Sequence, residues 1–211
     1  MSSKKHQRIN IIGLLVLFFL CVSLISFLNP HLQFDLLISN KIQAINSTIL
    51  IKLLWIVSSA GNHPFMLFTI ATSNLFMLLC KLRKEAVFST LSTSSSALVG
   101  SLIKVLINRP RPEQGLVNVS VWLSDKSYPS NHVLVFTVYF GFLLYLVSKK
   151  LGYKLKGVFL SIVFILFIAT IGISRIYLGA HWATDVVGGY LLGLIWLVFT
   201  IRLYNSYNGK R

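Results

Sequence analysis

Runs of about twenty residues with almost no charge recur along this 211-residue chain, and they constrain its fold more than any other feature. A stretch that long and that apolar crosses a hydrocarbon layer as a helix, because a helix satisfies every backbone N–H and C=O from within one segment. Six spans are read on this basis, at roughly 9–28, 63–80, 86–107, 132–148, 157–174 and 183–203. Residues 35–60 break the pattern, with Asp35, Lys41, Gln43, Asn46 and Lys52 set among apolar neighbours. An amphipathic helix lying in the interface and ending near Gly61 accounts for them better than a seventh span. The expected fold class is an all-α integral membrane protein. Residues 1–211 form a single polytopic domain in this reading, since no repeat, low-complexity tract or linker divides them.

The first run follows Lys4, Lys5 and Arg8 as a signal peptide would, yet it is longer than a typical signal core and lacks a small-residue cleavage site. It reads as an uncleaved anchor. Cys21 and Cys80 lie inside apolar segments and read as packing residues without a disulfide. A net charge of +15 is compatible with nucleic acid in isolation. Here the cations stand in short clusters between apolar runs, as membrane loops carry them, so the partner implied is the membrane and not nucleic acid. The N-terminus, the 81–85 turn, the 149–156 loop and the C-terminus together hold 13 of the 20 basic residues. The positive-inside rule then puts both termini of this multi-pass chain in the cytoplasm. With that topology the 104–132 and 174–185 loops emerge together on the periplasmic or exterior face.

Those two loops hold the residues that carry chemistry. His181 and Asp185 are four apart, which on a helix places them on one face within reach. A carboxylate on one imidazole nitrogen fixes the tautomer and leaves the other nitrogen free to attack or to move protons. A purely structural pair is the alternative; a metal site lacks the further Cys or carboxylate ligands to complete it. Arg175 offers a planar fork of donors to a phosphate. Lys104 and Arg111 either snorkel toward headgroups or hold an anion. Ser130 stands where it would cap the fourth span and aim first-turn N–H groups at a bound anion, with His132 beside it. Arg109 reads first as a solvated loop cation and second as a substrate contact. His63, in Asn62-His63-Pro64, reads first as an interfacial cap and second as a headgroup contact. Glu113 and Asp125 read as loop residues, and Trp122, Tyr128, Tyr177 and Trp182 as an interfacial aromatic belt. Taken as a set, three cations, a hydroxyl and two imidazoles are what in-line phosphoryl transfer without a metal requires.

The pattern Lys104-x6-Arg111-Pro112, then Pro129-Ser130-x-His132, then Ser174-Arg175-x5-His181-x3-Asp185 resembles the three-part signature of the type 2 phosphatidic acid phosphatase (PAP2) superfamily. The motifs span residues 104–185, and the six-span layout covers nearly all of the chain. The resemblance implies a helical-bundle lipid phosphate phosphatase in which His181 attacks phosphorus to form a phosphohistidine and Asp185 orients it. It implies that His132 protonates the leaving oxygen and later activates water, that Lys104, Arg111, Ser130 and Arg175 hold the phosphoryl oxygens, and that no metal or other cofactor is used. The small chain is similar to bacterial members acting on undecaprenyl pyrophosphate or phosphatidylglycerol phosphate. A lipid A phosphatase, a lipid phosphotransferase of the same superfamily and a non-catalytic lipid-binding protein are the alternatives. One position departs from the pattern: the family's usual glycine before the histidine is Asn131 here. Its backbone N–H survives, while its side chain is expected to add bulk and a donor beside the phosphate, with activity retained and substrate range open.

Overall fold

The computed structural model describes residues 2–62 and 64–209, with side chains described from Ile11 onward. The helices in chain order are α1 (Ser2–Leu28), α2 (Gln33–Gln43), α3 (Thr48–Ala60), α4 (Phe65–Leu79), α5 (Arg83–Ile107), α6 (Asn131–Lys150), α7 (Leu155–Tyr177) and α8 (Ala183–Gly209). Five of them, α1, α5, α6, α7 and α8, are long and apolar enough to cross a membrane. A sixth crossing is available only if α3 and α4 are taken together across a 66° bend. The expected second span corresponds to α4 alone, whose 15 residues rise about 22 Å, short of a hydrocarbon layer of roughly 30 Å. The expected single interfacial helix over 35–60 is likewise two helices, α2 and α3, separated at residues 44–47.

The bundle is built around α6, which packs against α5, α7 and α8. Its buried face carries Val133, Phe136, Val138, Phe142 and Leu146. Glycines on α8 bring the two backbones together: a Cβ on Gly189 would stand 2.8 Å from the Ser130 carbonyl oxygen, and one on Gly193 would stand 2.7 Å from Thr137 Cβ. Small residues at such crossings are how helices gain contact where no hydrophobic effect pushes them together. The many hydroxyls of α5 are tolerated in an apolar layer because they bond back to the preceding turn. Thr90 Oγ1 donates to the Ala86 carbonyl at 3.0 Å and Thr93 Oγ1 to that of Ser89 at 2.7 Å. At the opposite end from the candidate site, Lys150 of α6 pairs with Glu85 of α5 at 2.9 Å, and Tyr204 of α8 donates to the same carboxylate at 2.8 Å.

Two sequence expectations change here. Cys21 and Cys80 are free thiols and both are exposed, so they face outward and do not pack the core. Tyr128 and Trp182 are fully buried, while Trp122 is exposed and Tyr177 half-buried. The first two leave the aromatic belt because their polar tips find partners inside. Tyr128 OH lies 2.8 Å from Ser23 Oγ on α1, and Trp182 Nε1 donates to the Pro110 carbonyl at 3.2 Å. Tyr128 also stacks on Phe19 of α1, which docks the first helix onto the segment that feeds α6.

The chain path places the C-terminal ends of α5 and α7 and the N-terminal ends of α6 and α8 on one face. Lys104, Arg175, His132 and Asp185 sit at those four ends. We predict that Gly189→Ala costs about 1–3 kcal/mol of stability by forcing α6 and α8 apart. Gly13→Ala, at a position with open space around it, serves as the unaffected control in the same thermal melt in detergent.

Candidate active site

The connection between α5 and α6 starts where Asn108 adopts a left-handed conformation (φ 51°) that ends α5, with Pro110 close behind. This turn sends Arg109 inward. Its Nη2 lies 2.6 Å from Asp35 Oδ2 on α2 and its Nη1 2.6 Å from Asp185 Oδ1 on α8, with all three side chains at 0% exposure. Nη1 also donates to Thr184 Oγ1 at 2.6 Å, and Nε to the Pro30 carbonyl at 3.1 Å. Arg109 is thus neither a solvated loop cation nor a substrate contact; its donors are consumed inside the protein. Asp35, a residue that breaks an apolar run in the sequence, accepts the Thr184 backbone N–H at 2.8 Å and so caps α8 from another helix.

Asp185 is the third residue of α8 and reaches back to the Trp182 N–H at 2.9 Å, the geometry of a capping box. Its Oδ2 also accepts from Ser127 Oγ. His181 precedes the helix, so the turn, and not a shared helical face, brings it to Asp185. His181 Nδ1 lies 3.5 Å from Asp185 Oδ2 without completing a hydrogen bond. On the other side of the ring, Nε2 is 3.2 Å from Arg111 Nη1. A guanidinium only donates, so Nε2 presents its lone pair there and the ring proton sits on Nδ1, toward the carboxylate. Burial, followed by the nearby cations Arg111, Lys104 and Arg175, holds His181 well below the usual histidine range. At neutral pH the ring is uncharged, with its Nε2 lone pair turned toward Arg111.

That nitrogen opens onto a cleft of about 570 Å³ between α4, α5 and α6. It is lined by Lys104, Arg111, Asp125, Asn131, His132 and His181, by the apolar side chains of Met66, Leu67, Ile70, Ala97, Val135 and Phe136, and by the α5 hydroxyls of Thr93, Ser94 and Ser101. His132 Nε2 lies 2.8 Å from the Asn62 amide oxygen, and Gly61 has no side chain because the His132 ring occupies that space. Ser130 and Arg175 do not line the cleft; both are fully buried behind it. Arg175 Nη1 donates to Ser58 Oγ at 2.5 Å. Its Nε and Nη2, together with Ser130 Oγ, are buried with no hydrogen-bond partner among the described residues. Ser130 is the N-cap residue of α6 by position, yet its hydroxyl makes no capping bond. Buried donors left open in this way are what a ligand's oxygens would complete.

The remaining expectations resolve as follows. Lys104, Arg111, Asn131, His132 and His181 meet in one cleft, with Ser130, Arg175 and Asp185 directly behind it. Asn131 lines the cleft and also reaches α5, where Nδ2 donates to Ser101 Oγ at 3.1 Å. Gly100 makes room for it, since a Cβ at that position would fall on the Asn131 amide oxygen. His63 lies outside the described residues. Sequence reasoning gives Asp35 no partner, reads Asn62 only within an interfacial cap or headgroup contact, takes Asp125 for a loop residue and passes over Ser127. The signal for the first and third was available: with five acidic residues in the chain, each needs a partner. A prediction follows for the Gly100–Asn131 contact. Gly100→Ala is expected to lower turnover roughly tenfold by pushing Asn131 toward the cleft, an effect of about 1–3 kcal/mol, and Asn131→Gly is expected to restore it in the double variant.

The curated Bacillus subtilis (strain 168) protein phosphatidylglycerophosphatase B is 28% identical over 197 residues, covering 91% of this chain and 93% of that one. Undecaprenyl-diphosphatase of Sulfolobus acidocaldarius is 28% identical over 134 residues, 62% of this chain and 60% of that one. The crystal structure of the PAP2-type phosphatidylglycerolphosphate phosphatase from Bacillus subtilis superposes with a TM-score of 0.80 at 25% identity, over 92% of this chain and 96% of that one. The family profile described as the PAP2 superfamily matches residues 85–208, the stretch that supplies the two histidines and the three cations of the site. With more than half its length inside that match, this multi-pass membrane chain belongs to the PAP2 superfamily.

Proposed function

We propose that this protein is a metal-independent lipid phosphate phosphatase that works through a phosphohistidine on His181. The observation that carries the reading is the cleft itself, where two imidazoles and two cations share one cavity with the apolar side chains of Met66, Leu67, Ile70, Val135 and Phe136. Such a cavity suits a molecule with a phosphorylated head and a hydrocarbon tail. Lys104, Arg111 and the open donors of Arg175 and Ser130 would take the phosphoryl oxygens, stabilising the charge that spreads over them in the transition state. His181 Nε2 would attack phosphorus as Arg111 shifts from the ring to a phosphoryl oxygen. His132 would give a proton to the leaving oxygen, then accept one from the water that attacks the phosphohistidine, so that phosphate leaves and both rings return to their starting state. Asp185, opposite Nδ1, supports the ring's charge during the attack.

The positive-inside distribution supports cytoplasmic termini and an active site opening to the periplasm or exterior of a bacterial plasma membrane. The substrates favoured are phosphatidylglycerol phosphate and undecaprenyl pyrophosphate, since the full-length relative is named for the first and a partial one for the second. A transfer reaction to an acceptor lipid is the second reading; release of inorganic phosphate by purified protein in micelles without acceptor separates the two. A panel of glycerolipid, prenyl and lipid A phosphates ranks the substrates.

His181→Ala is expected to reduce phosphate release by at least about 1,000-fold, whereas EDTA leaves the wild-type rate unchanged. Loss of activity in chelator would overturn the mechanism. Because the attacking nitrogen must be unprotonated and His181 is held below the usual histidine range, the acid limb of kcat/KM is expected below about pH 6.5. A limb at higher pH would mean that another group, and not His181, is the nucleophile.

A further inference from the structure

Asp125 lies on the connection between α5 and α6 with 56% of its side chain exposed, yet its carboxylate is not solvated alone. Oδ2 stands 3.1 Å from Lys104 Nζ and Oδ1 stands 2.5 Å from Arg111 Nη2. These are two of the cations assigned to the phosphoryl group, and Asp125 lines the same cleft as His132 and His181. Two oxygens bridging two cations is the arrangement a phosphoryl group would adopt there. We propose that Asp125 is a resident carboxylate that competes with the substrate for Lys104 and Arg111, and so selects for headgroups that bring more than one negative charge to them. The inference rests on the phosphatase reading and adds a specificity residue to it.

The surroundings of Asp125 fit a side chain that swings on a fixed backbone. Its own carbonyl accepts from Arg111 Nε at 2.8 Å. The next two carbonyls, of Lys126 and Ser127, face Lys104 Nζ. Ser127 is in turn tied to Asp185. Leaving the cations therefore requires rotation of one exposed side chain and no movement of the loop. Partial burial raises the Asp125 carboxyl, but Lys104 and Arg111 outweigh that and hold it below the ordinary carboxylate range, so the competitor is charged at neutral pH.

The consequence is a filter based on charge. A phosphodiester headgroup, the common kind in a bilayer, brings a single negative charge. It would exchange one monoanion for another and gain nothing from the two cations. A terminal phosphate monoester or diphosphate carries roughly 1.5 to 2 charges on its end group near pH 7, so it outcompetes the carboxylate. In a membrane where diesters are the bulk solvent, exclusion of the wrong headgroup is as useful as capture of the right one. After turnover the returning carboxylate would also help displace inorganic phosphate.

The test uses the full-length protein in detergent, with Asp125→Asn and Asp125→Ser, and inorganic phosphate binding measured by titration calorimetry. Both variants are expected to bind phosphate about tenfold more tightly, the size of one lost unit of local charge competition. In mixed micelles, phosphatidylglycerol, a singly charged diester, is expected to inhibit both variants at about a tenfold lower mole fraction than the wild type, and Asp125→Glu to restore resistance. Phosphate binding that is unchanged or weaker in folded variants would overturn the proposal, because Asp125 would then be positioning the cations and not competing for them. Calorimetry needs no turnover. A wild-type protein that binds phosphate but releases none from any lipid phosphate would sink the phosphatase reading alone, leaving the competition at Lys104 and Arg111 to be judged by the variants.

Discussion

Arg109 held between Asp35 and Asp185 is the contact on which the rest of the site depends. Three fully buried charges are costly to desolvate, and they persist only because each is hydrogen-bonded on several sides. The trio carries one surplus negative charge, placed at the N-terminus of α8, where the helix dipole and free N–H groups accommodate it. One guanidinium thereby joins three parts of the chain that are far apart in sequence: α2, the loop after α5, and the start of α8. Removal of any one partner from such a buried arrangement typically costs about 3–5 kcal/mol. In this protein the cost would fall on the position of His181, since Asp185 sets both the first turn of α8 and the carboxylate facing the ring.

The same loop sets the electrostatic character of the cleft. Residues 125–127 face Lys104 and Arg111 with one carboxylate and three carbonyls, while Ser127 reaches the opposite way to Asp185. The cations are therefore held in place before any ligand arrives, which spares reorganisation at the moment of reaction. Arg175 is organised differently. Its Nη1 is fixed by Ser58 on α3, and its other donors are left open. One cation with open donors and two with a displaceable anion make a site that is both preorganised and selective.

Much of this was readable from the chain alone, and the parts that were not share a physical reason. Long apolar runs mark α1, α5, α6, α7 and α8, since length and hydropathy are local properties. Lys104, Arg111, His132 and His181, far apart in sequence, meet in one cleft because helix ends and the turns beside them come to one face. Arg109 was misread because a loop cation and a buried bridge look identical until the partner on α2 is placed beside it. His181 and Asp185 stand 3.5 Å apart for a reason their spacing does not give: a capped turn precedes α8, and helical periodicity does not extend back to His181. Asn131 keeps its place in the cleft while Gly100, 31 positions earlier in the chain, makes room for its amide oxygen, a contact between helices that local sequence does not reveal.

The division of residues 35–60 into two helices follows from the same buried bridge. A single helix lying in the interface would keep Asp35 at the surface, where a carboxylate is well solvated and has no need of Arg109. Instead the break at 44–47 separates two requirements. It leaves α2 free to bring Asp35 against α8, and it leaves α3 free to pack on α7 with Ser58 against Arg175. Gln43, at the end of α2, secures that placement by donating to the Asn118 carbonyl at 2.8 Å and accepting the Asn118 N–H at 2.9 Å. Two of the polar residues that make this stretch look interfacial in sequence, Asp35 and Gln43, are thus its attachment points, while Lys41, Asn46 and Lys52 are exposed. One polar anchor toward α8 and one toward the loop after α5 are what the first of the two short helices needs to support the site.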